Sequence, residues 1–122
     1  ADFFASSGVS SFIITNGAND VCTWADDSFF VKKDNTYLPV SKKITDLIKS
    51  DAFPQGDTTV CGDNFAGGII ASVAWQLKSK SRGQFDLTEA SSWGIASGGF
   101  TCLVMGGTFL EKSTGEKCIK VK

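Results

Sequence analysis

Four cysteines, at positions 22, 61, 102 and 118, place the tightest constraint on what this 122-residue chain folds into. They are even in number and widely spaced, and no two form C-x-x-C, so neither a zinc ribbon nor a thioredoxin-type redox site has support. The chain has no histidine to complete a mixed metal site. In a short chain such a set predicts two disulfides, Cys22, Cys61, Cys102 and Cys118 all oxidised, and therefore a secreted, extracellular protein. Buried thiols in a reducing compartment are the alternative. The opening Ala1-Asp2-Phe3-Phe4 reads as a mature N-terminus after signal removal. No N-x-S/T sequon occurs, so secretion here does not imply N-glycosylation.

The length suits one hydrophobic core, and residues 1–122 are read as a single secreted α+β domain. Hydrophobic residues make up 42% and charged residues 20%, as in ordinary folded domains rather than disordered tails. The net charge is −1, which gives no field for a polyanion, so nucleic acid is not expected as a partner. The lysines at 112, 117, 120 and 122 read as a solvated face. The longest apolar stretch, near Gly67 to Leu77, is interrupted by Gly, Ser and Gln, so no membrane span is expected.

Residues 1–9 suggest a loose start or an edge strand. Ser11–Thr15 is a β-rich run ending in the turn signal Asn16-Gly17. A polar loop is expected next, carrying Asn19, Asp20, Cys22, Trp24, Asp26 and Asp27. Ser28–Lys32 is a second strand candidate, closed by Lys33-Asp34-Asn35. A helix follows Pro39, with Ser41 as its N-cap and Ile44, Leu47 and Ile48 as its apolar stripe. Thr58–Cys61 reads as a strand and Cys61–Asn64 as a loop. Over 69–77 both a strand alternation and a helical stripe fit. The β-branched residues and the flanking Gly67-Gly68 favour strand, with Trp75 in the core. Lys78 to Gly83 is a basic turn. Phe85–Leu87, Trp93–Ile95 and Phe100–Met105 look like strands with glycine bends, and Ser113–Glu116 like the loop of a final hairpin. Together these predict an α+β fold: a twisted, mostly antiparallel sheet with one or two helices packed on it.

Without histidine, Ser-His-Asp and Cys-His catalysis and the usual zinc sites are gone. A carboxylate pair remains as an enzymatic design. Asp26 and Asp27 would point to opposite faces of an extended segment, so that doublet reads as a solvated loop and no enzyme is expected. Asp57, Asp63 and Asn64 offer oxygen ligands, but turn chemistry explains them without calcium. No cofactor and no metal are expected. Aromatic residues beside polar ones are the remaining signal. A ring can cover the apolar face of a sugar while Asp, Asn or Gln fixes its hydroxyls. The candidate ligand-binding residues are Trp24, Asp26, Asp27, Tyr37, Asp63, Asn64 and Trp93; core packing is the alternative for the tryptophans.

The small starting residue, the four cysteines, the helix after Pro39 and the Gly- and Ser-rich second half resemble the layout of small secreted fungal proteins. Within that group the chain is similar in character to the glycan-binding, lectin-like proteins of mushrooms. The resemblance implies a non-enzymatic protein that binds glycans or glycoproteins at cell surfaces; a homodimer is compatible with it. The neighbouring class, killer-toxin-like or effector-like proteins, implies a protein or membrane target instead.

The expected hairpin bears on connectivity. On one continuous strand Cys102 lies roughly 30 Å from the position opposite Cys118, and with a fold-back at Gly106-Gly107 the two are two strand spacings apart, about 9.5 Å. A disulfide needs Cα atoms within about 7 Å. A Cys102–Cys118 bridge is therefore not expected. Cys22–Cys102 with Cys61–Cys118, or Cys22–Cys118 with Cys61–Cys102, remain.

Overall fold

The elements of the protein are taken from a computed structural model that describes residues 1–50, 60–79, 84–103, 111–116 and 119. Three short strands, β1 (Ser11–Ile14), β2 (Val21–Ala25) and β3 (Lys33–Leu38), form an antiparallel sheet in the order β1-β2-β3. Helix α1 (Asp2–Ser6) precedes it, and α2 (Lys42–Lys49), α3 (Cys61–Ser79) and α4 (Leu87–Thr101) follow. The α+β class and the antiparallel sheet match expectation, but the balance does not, because Cys61–Ser79 and Leu87–Thr101 are helices.

Several local expectations are corrected. The start of the chain is the helix α1 rather than a strand, with the amides of Phe4 and Ala5 donating to the Ala1 carbonyl. Val21-Cys22-Thr23-Trp24-Ala25 is the central strand, not a loop, because its β-branched and aromatic residues suit pairing on both edges, with β1 and β3. Lys33-Asp34-Asn35 opens β3 rather than closing a strand. Of the Ser28–Lys32 candidate only Phe30 pairs, as an isolated bridge to Phe85. The Asp26-Asp27 doublet makes the turn between them. Asp26 Oδ1 accepts from the Ser28 amide at 2.8 Å, and Asp27, at φ 84°, accepts from the Lys32 amide at 3.2 Å. A carboxylate side chain tolerates that left-handed conformation because it bonds locally.

The helix after Pro39 is present, and Ser41 caps it by accepting from the Ile44 amide at 3.4 Å. Its Ile44 is buried. Cys61–Asn64 is the first turn of α3 rather than a loop, and 69–77 lies inside that helix rather than in a strand. The residues read as strands at Trp93–Ile95 and Phe100–Thr101 belong to α4, whose cap Asp86 accepts from the Thr88 amide at 2.8 Å and from Glu89 at 3.4 Å.

The two long helices form an antiparallel hairpin whose seam is made of small and polar residues. A Cβ placed on Gly68 would lie 2.6 Å from the Trp93 carbonyl oxygen, and one on Gly98 would lie 2.9 Å from that of Cys61. Glycine therefore sets the approach of the two backbones. Ser72 and Gln76 are buried in the same seam. The Gln76 amide donates to Asp86 O at 3.0 Å and to Ser72 Oγ at 3.2 Å, while its oxygen accepts from the Asp86 amide at 2.7 Å. One side chain thus pins the end of α3 to the start of α4. Helix α4 also packs on β2 and β3, so it lies between the sheet and α3.

The Ser113–Glu116 turn is present, closed by a Glu116 amide bond to the Ser113 carbonyl at 3.2 Å with Gly115 at φ 83°. Past it the Ile119 amide reaches the Gly115 carbonyl, a helical bond and not a hairpin strand. The readings at Asp57, at Thr58 and Thr59, at the strands before and after that turn, and at Cys118 lie wholly or largely outside the described residues. Among the described residues no cysteine pair is at disulfide bonding distance, although Cys61 Sγ and Cys102 Sγ lie 2.9 Å apart.

Candidate functional site: the outer face of the sheet

Strand alternation sends Val21, Thr23 and Ala25 to one side of β2 and Cys22 and Trp24 to the other. Val21 lines an apolar cavity with Ile44 of α2 and Ile95 of α4, which identifies the inner side. The outer side is aromatic. Register places Phe12 opposite Trp24, and Ile14 and Tyr37 on either flank of Cys22. The Phe12 and Trp24 rings stack with centroids 5.4 Å apart and planes 13° from parallel. Phe4 of α1 leans on Phe12 at 5.7 Å, and Phe3 meets Phe4 edge-on at 5.6 Å. Such pairs contribute roughly 0.5–1.5 kcal/mol each beyond the area they bury.

This face is open to solvent at its two ends: Phe3 is 75% exposed and Tyr37 62%, while Trp24 between them is half-buried. Asn35, two residues before Tyr37 on β3, is exposed and lies where the register of β3 on β2 shifts. The Tyr37 phenol is held above its ordinary value of 10.0. The charge of the Cys22 thiolate beneath it is the main cause; a hydrogen bond to Cys22, partial desolvation and the Asp2 carboxylate add to it. The Asp26 carboxyl is held below its ordinary range, chiefly by hydrogen bonds from Ser28.

The seven candidate binding residues do not converge. Trp24 and Tyr37 share the outer sheet face. Asp26 and Asp27 build the turn after β2, where Asp27 also accepts from Gln84 Nε2 at 2.8 Å. Asp63 and Asn64 lie in the first turn of α3, with Asn64 Nδ2 donating to the Val60 carbonyl at 3.1 Å. Trp93 lies on α4, 40% exposed beside its crossing with α3. Trp75, read as core, is 54% exposed. None of the seven lines the cavity of about 690 Å³ between α2, α3, α4 and the β1–β2 turn, whose wall includes Phe65, Leu103, Cys61 and Cys102. Among the described residues no three His, Cys, Asp or Glu side chains group as metal ligands. No described helix is long and apolar enough to cross a membrane.

Sequence reasoning missed Phe4, Phe12 and Asn35. The available signal was the alternation through Ser11–Ile14 and Val21–Ala25, which places Phe12 and Trp24 on one side once the two strands are paired. No protein-family model matches the chain, and no curated protein is significantly similar to it.

Proposed function

We propose that this is a secreted, non-enzymatic, glycan-binding protein of lectin-like character that acts on cell-surface carbohydrate through the outer face of its sheet. The observation that carries this reading is the contact of the Phe4, Phe12 and Trp24 rings, with exposed Tyr37 and Asn35 on the adjoining strand β3. Rings present flat apolar area to the C–H face of a sugar, and the amide supplies a donor and an acceptor for its hydroxyls. Histidine, the usual base, is absent from the chain, in keeping with binding rather than turnover.

The same reading takes the cysteines as two disulfides, Cys61–Cys102 and, by remainder, Cys22–Cys118. The 2.9 Å approach of the first pair supports it. Each bridge forms as two thiols lose two protons and two electrons to a disulfide-carrying oxidoreductase of the secretory route.

A glycan array followed by titration calorimetry on the best binder tests the function. Tyr37→Ala is expected to weaken binding at least tenfold with an unchanged fold, and Trp24→Ala to weaken binding and also lower stability. Trp93→Ala, on the other side of α4, is expected to bind normally. Binding to no sugar on the array removes the lectin reading. The toxin or effector alternative is favoured by one feature, the apolar outer surface of α3.

A further inference from the structure

Helix α3 is built inside out for a water-soluble hairpin. Its buried line is Gly68, Ser72 and Gln76, whereas Ile70 is 68% exposed, Trp75 54% and Leu77 58%. In water the larger apolar side chains of a helix normally face the core. The opposite arrangement, small and polar residues in the seam and apolar ones outside, is how helix pairs are built against lipid, where close backbone approach and buried hydrogen bonds join the helices. Helix α3 is the outermost layer, with α4 between it and the sheet, so this face is turned away from the rest of the described fold.

Charge selects the occupant. From Gly67 to Leu77 the helix carries no ionisable side chain; Lys78 then stands exposed in its last turn, and the sequence adds Lys80 and Arg82 within four residues. An apolar helix face with tryptophan at hand and the exposed Lys78 at one end is complementary to a bilayer surface bearing anionic headgroups. Since no described helix is long and apolar enough to span, the contact is interfacial. We propose that the outer face of α3, through Ile70, Trp75, Leu77 and Lys78, binds anionic lipid surfaces. This goes beyond glycan recognition and does not rest on it, since the two faces lie on opposite sides of α4.

The test is binding of the full chain to vesicles of phosphatidylcholine alone and of phosphatidylcholine with phosphatidylserine, read by co-sedimentation and tryptophan emission. Partition into the anionic vesicles is expected to exceed that into neutral ones at least tenfold, with a blue shift. Ile70→Ser/Leu77→Ser is expected to abolish it. Lys78→Glu, which is surface-exposed and leaves the apolar area intact, is expected to lower it by roughly fivefold or more. Tyr37→Ala is expected to partition normally, which separates this face from the glycan face. Circular dichroism of each variant should match the parent. Equal partition into both vesicles, no partition into either, or undiminished partition of the double variant overturns the proposal. So does a solution dimer that the double variant disperses while vesicle binding is absent.

Discussion

At the scale of single residues, the structure ties chemistry to neighbours that are distant in sequence. Tyr37 and Cys22 are cross-strand partners, and the raised phenol value depends first on the charge of that thiolate. A raised value in the folded state means that the neutral phenol is the favoured form there. The stabilisation is fully present below the ordinary value of 10.0 and is lost as pH rises through the folded value. If Cys22 is oxidised to a disulfide it carries no charge, and the main cause of the shift disappears. The chain has one tyrosine, so ultraviolet titration reads this group alone. With Cys22 reduced the phenol is expected to titrate above 10.0; in the oxidised protein it should move back toward that value. Identical curves in the two redox states would mean that Cys22 is not the source. Asp26 illustrates the opposite sign. Its lowered carboxyl favours the ionised turn, an effect present at neutral pH and lost as acid protonates it.

At the scale of elements, the α3–α4 hairpin depends on the size of a few residues more than on their hydrophobicity. Gly67 and Gly68 are sequence neighbours with different surroundings. A Cβ at Gly67 meets nothing within 4 Å, while one at Gly68 would lie 2.6 Å from the Trp93 carbonyl oxygen and 2.9 Å from the Gly94 Cα. Gly68→Ala must push the helices apart and is expected to destabilise by about 1–3 kcal/mol. Gly67→Ala adds helix propensity without a clash and is expected to stabilise by about 0.5–1 kcal/mol. Urea denaturation of both variants measures the contrast; two effects of the same sign would show that the seam is not set by this contact. This hairpin is also where sequence reading went astray. The β-branched Ile69, Ile70 and Val73 and the glycine pair resemble a strand with a bend. Propensity is a weak prior that packing overrides, and here glycine in a helix is favoured by the partner backbone it admits. Phe85–Leu87, read as a strand, instead holds the start of α4: Asp86 is its N-cap and Leu87 its first residue.

At the scale of the whole molecule, the thiols of Cys61 and Cys102 meet at the open end of the hairpin, from the first residue of α3 and the C-cap of α4. Oxidation would clamp the two helices where they open onto the apolar cavity. Peptide mapping without reduction is expected to find Cys61 bridged to Cys102 and Cys22 to Cys118. Its loss through Cys61→Ser/Cys102→Ser is expected to cost roughly 2–5 kcal/mol. A Cys22–Cys102 bridge would contradict both this pairing and the helical hairpin, since Cys22 lies on the outer sheet face.

The sequence by itself determined the α+β class, the helix capped by Ser41, the first strand, the solvated position of the Asp26-Asp27 doublet and the turn at Ser113–Glu116. Each of these follows from contacts within a few residues, a cap, an alternation or a left-handed turn. Only the tertiary structure decided that the glycine-rich stretches Cys61–Ser79 and Leu87–Thr101 are helical, that the polar Gln76 is buried while Trp75 is exposed, and that Trp24 and Tyr37 share a face while Trp93 does not. Those outcomes depend on which surfaces meet. A glycine, a serine or a tryptophan carries no record of its partner, and the same residues fit a strand or a helix until a second backbone lies close enough to choose between them.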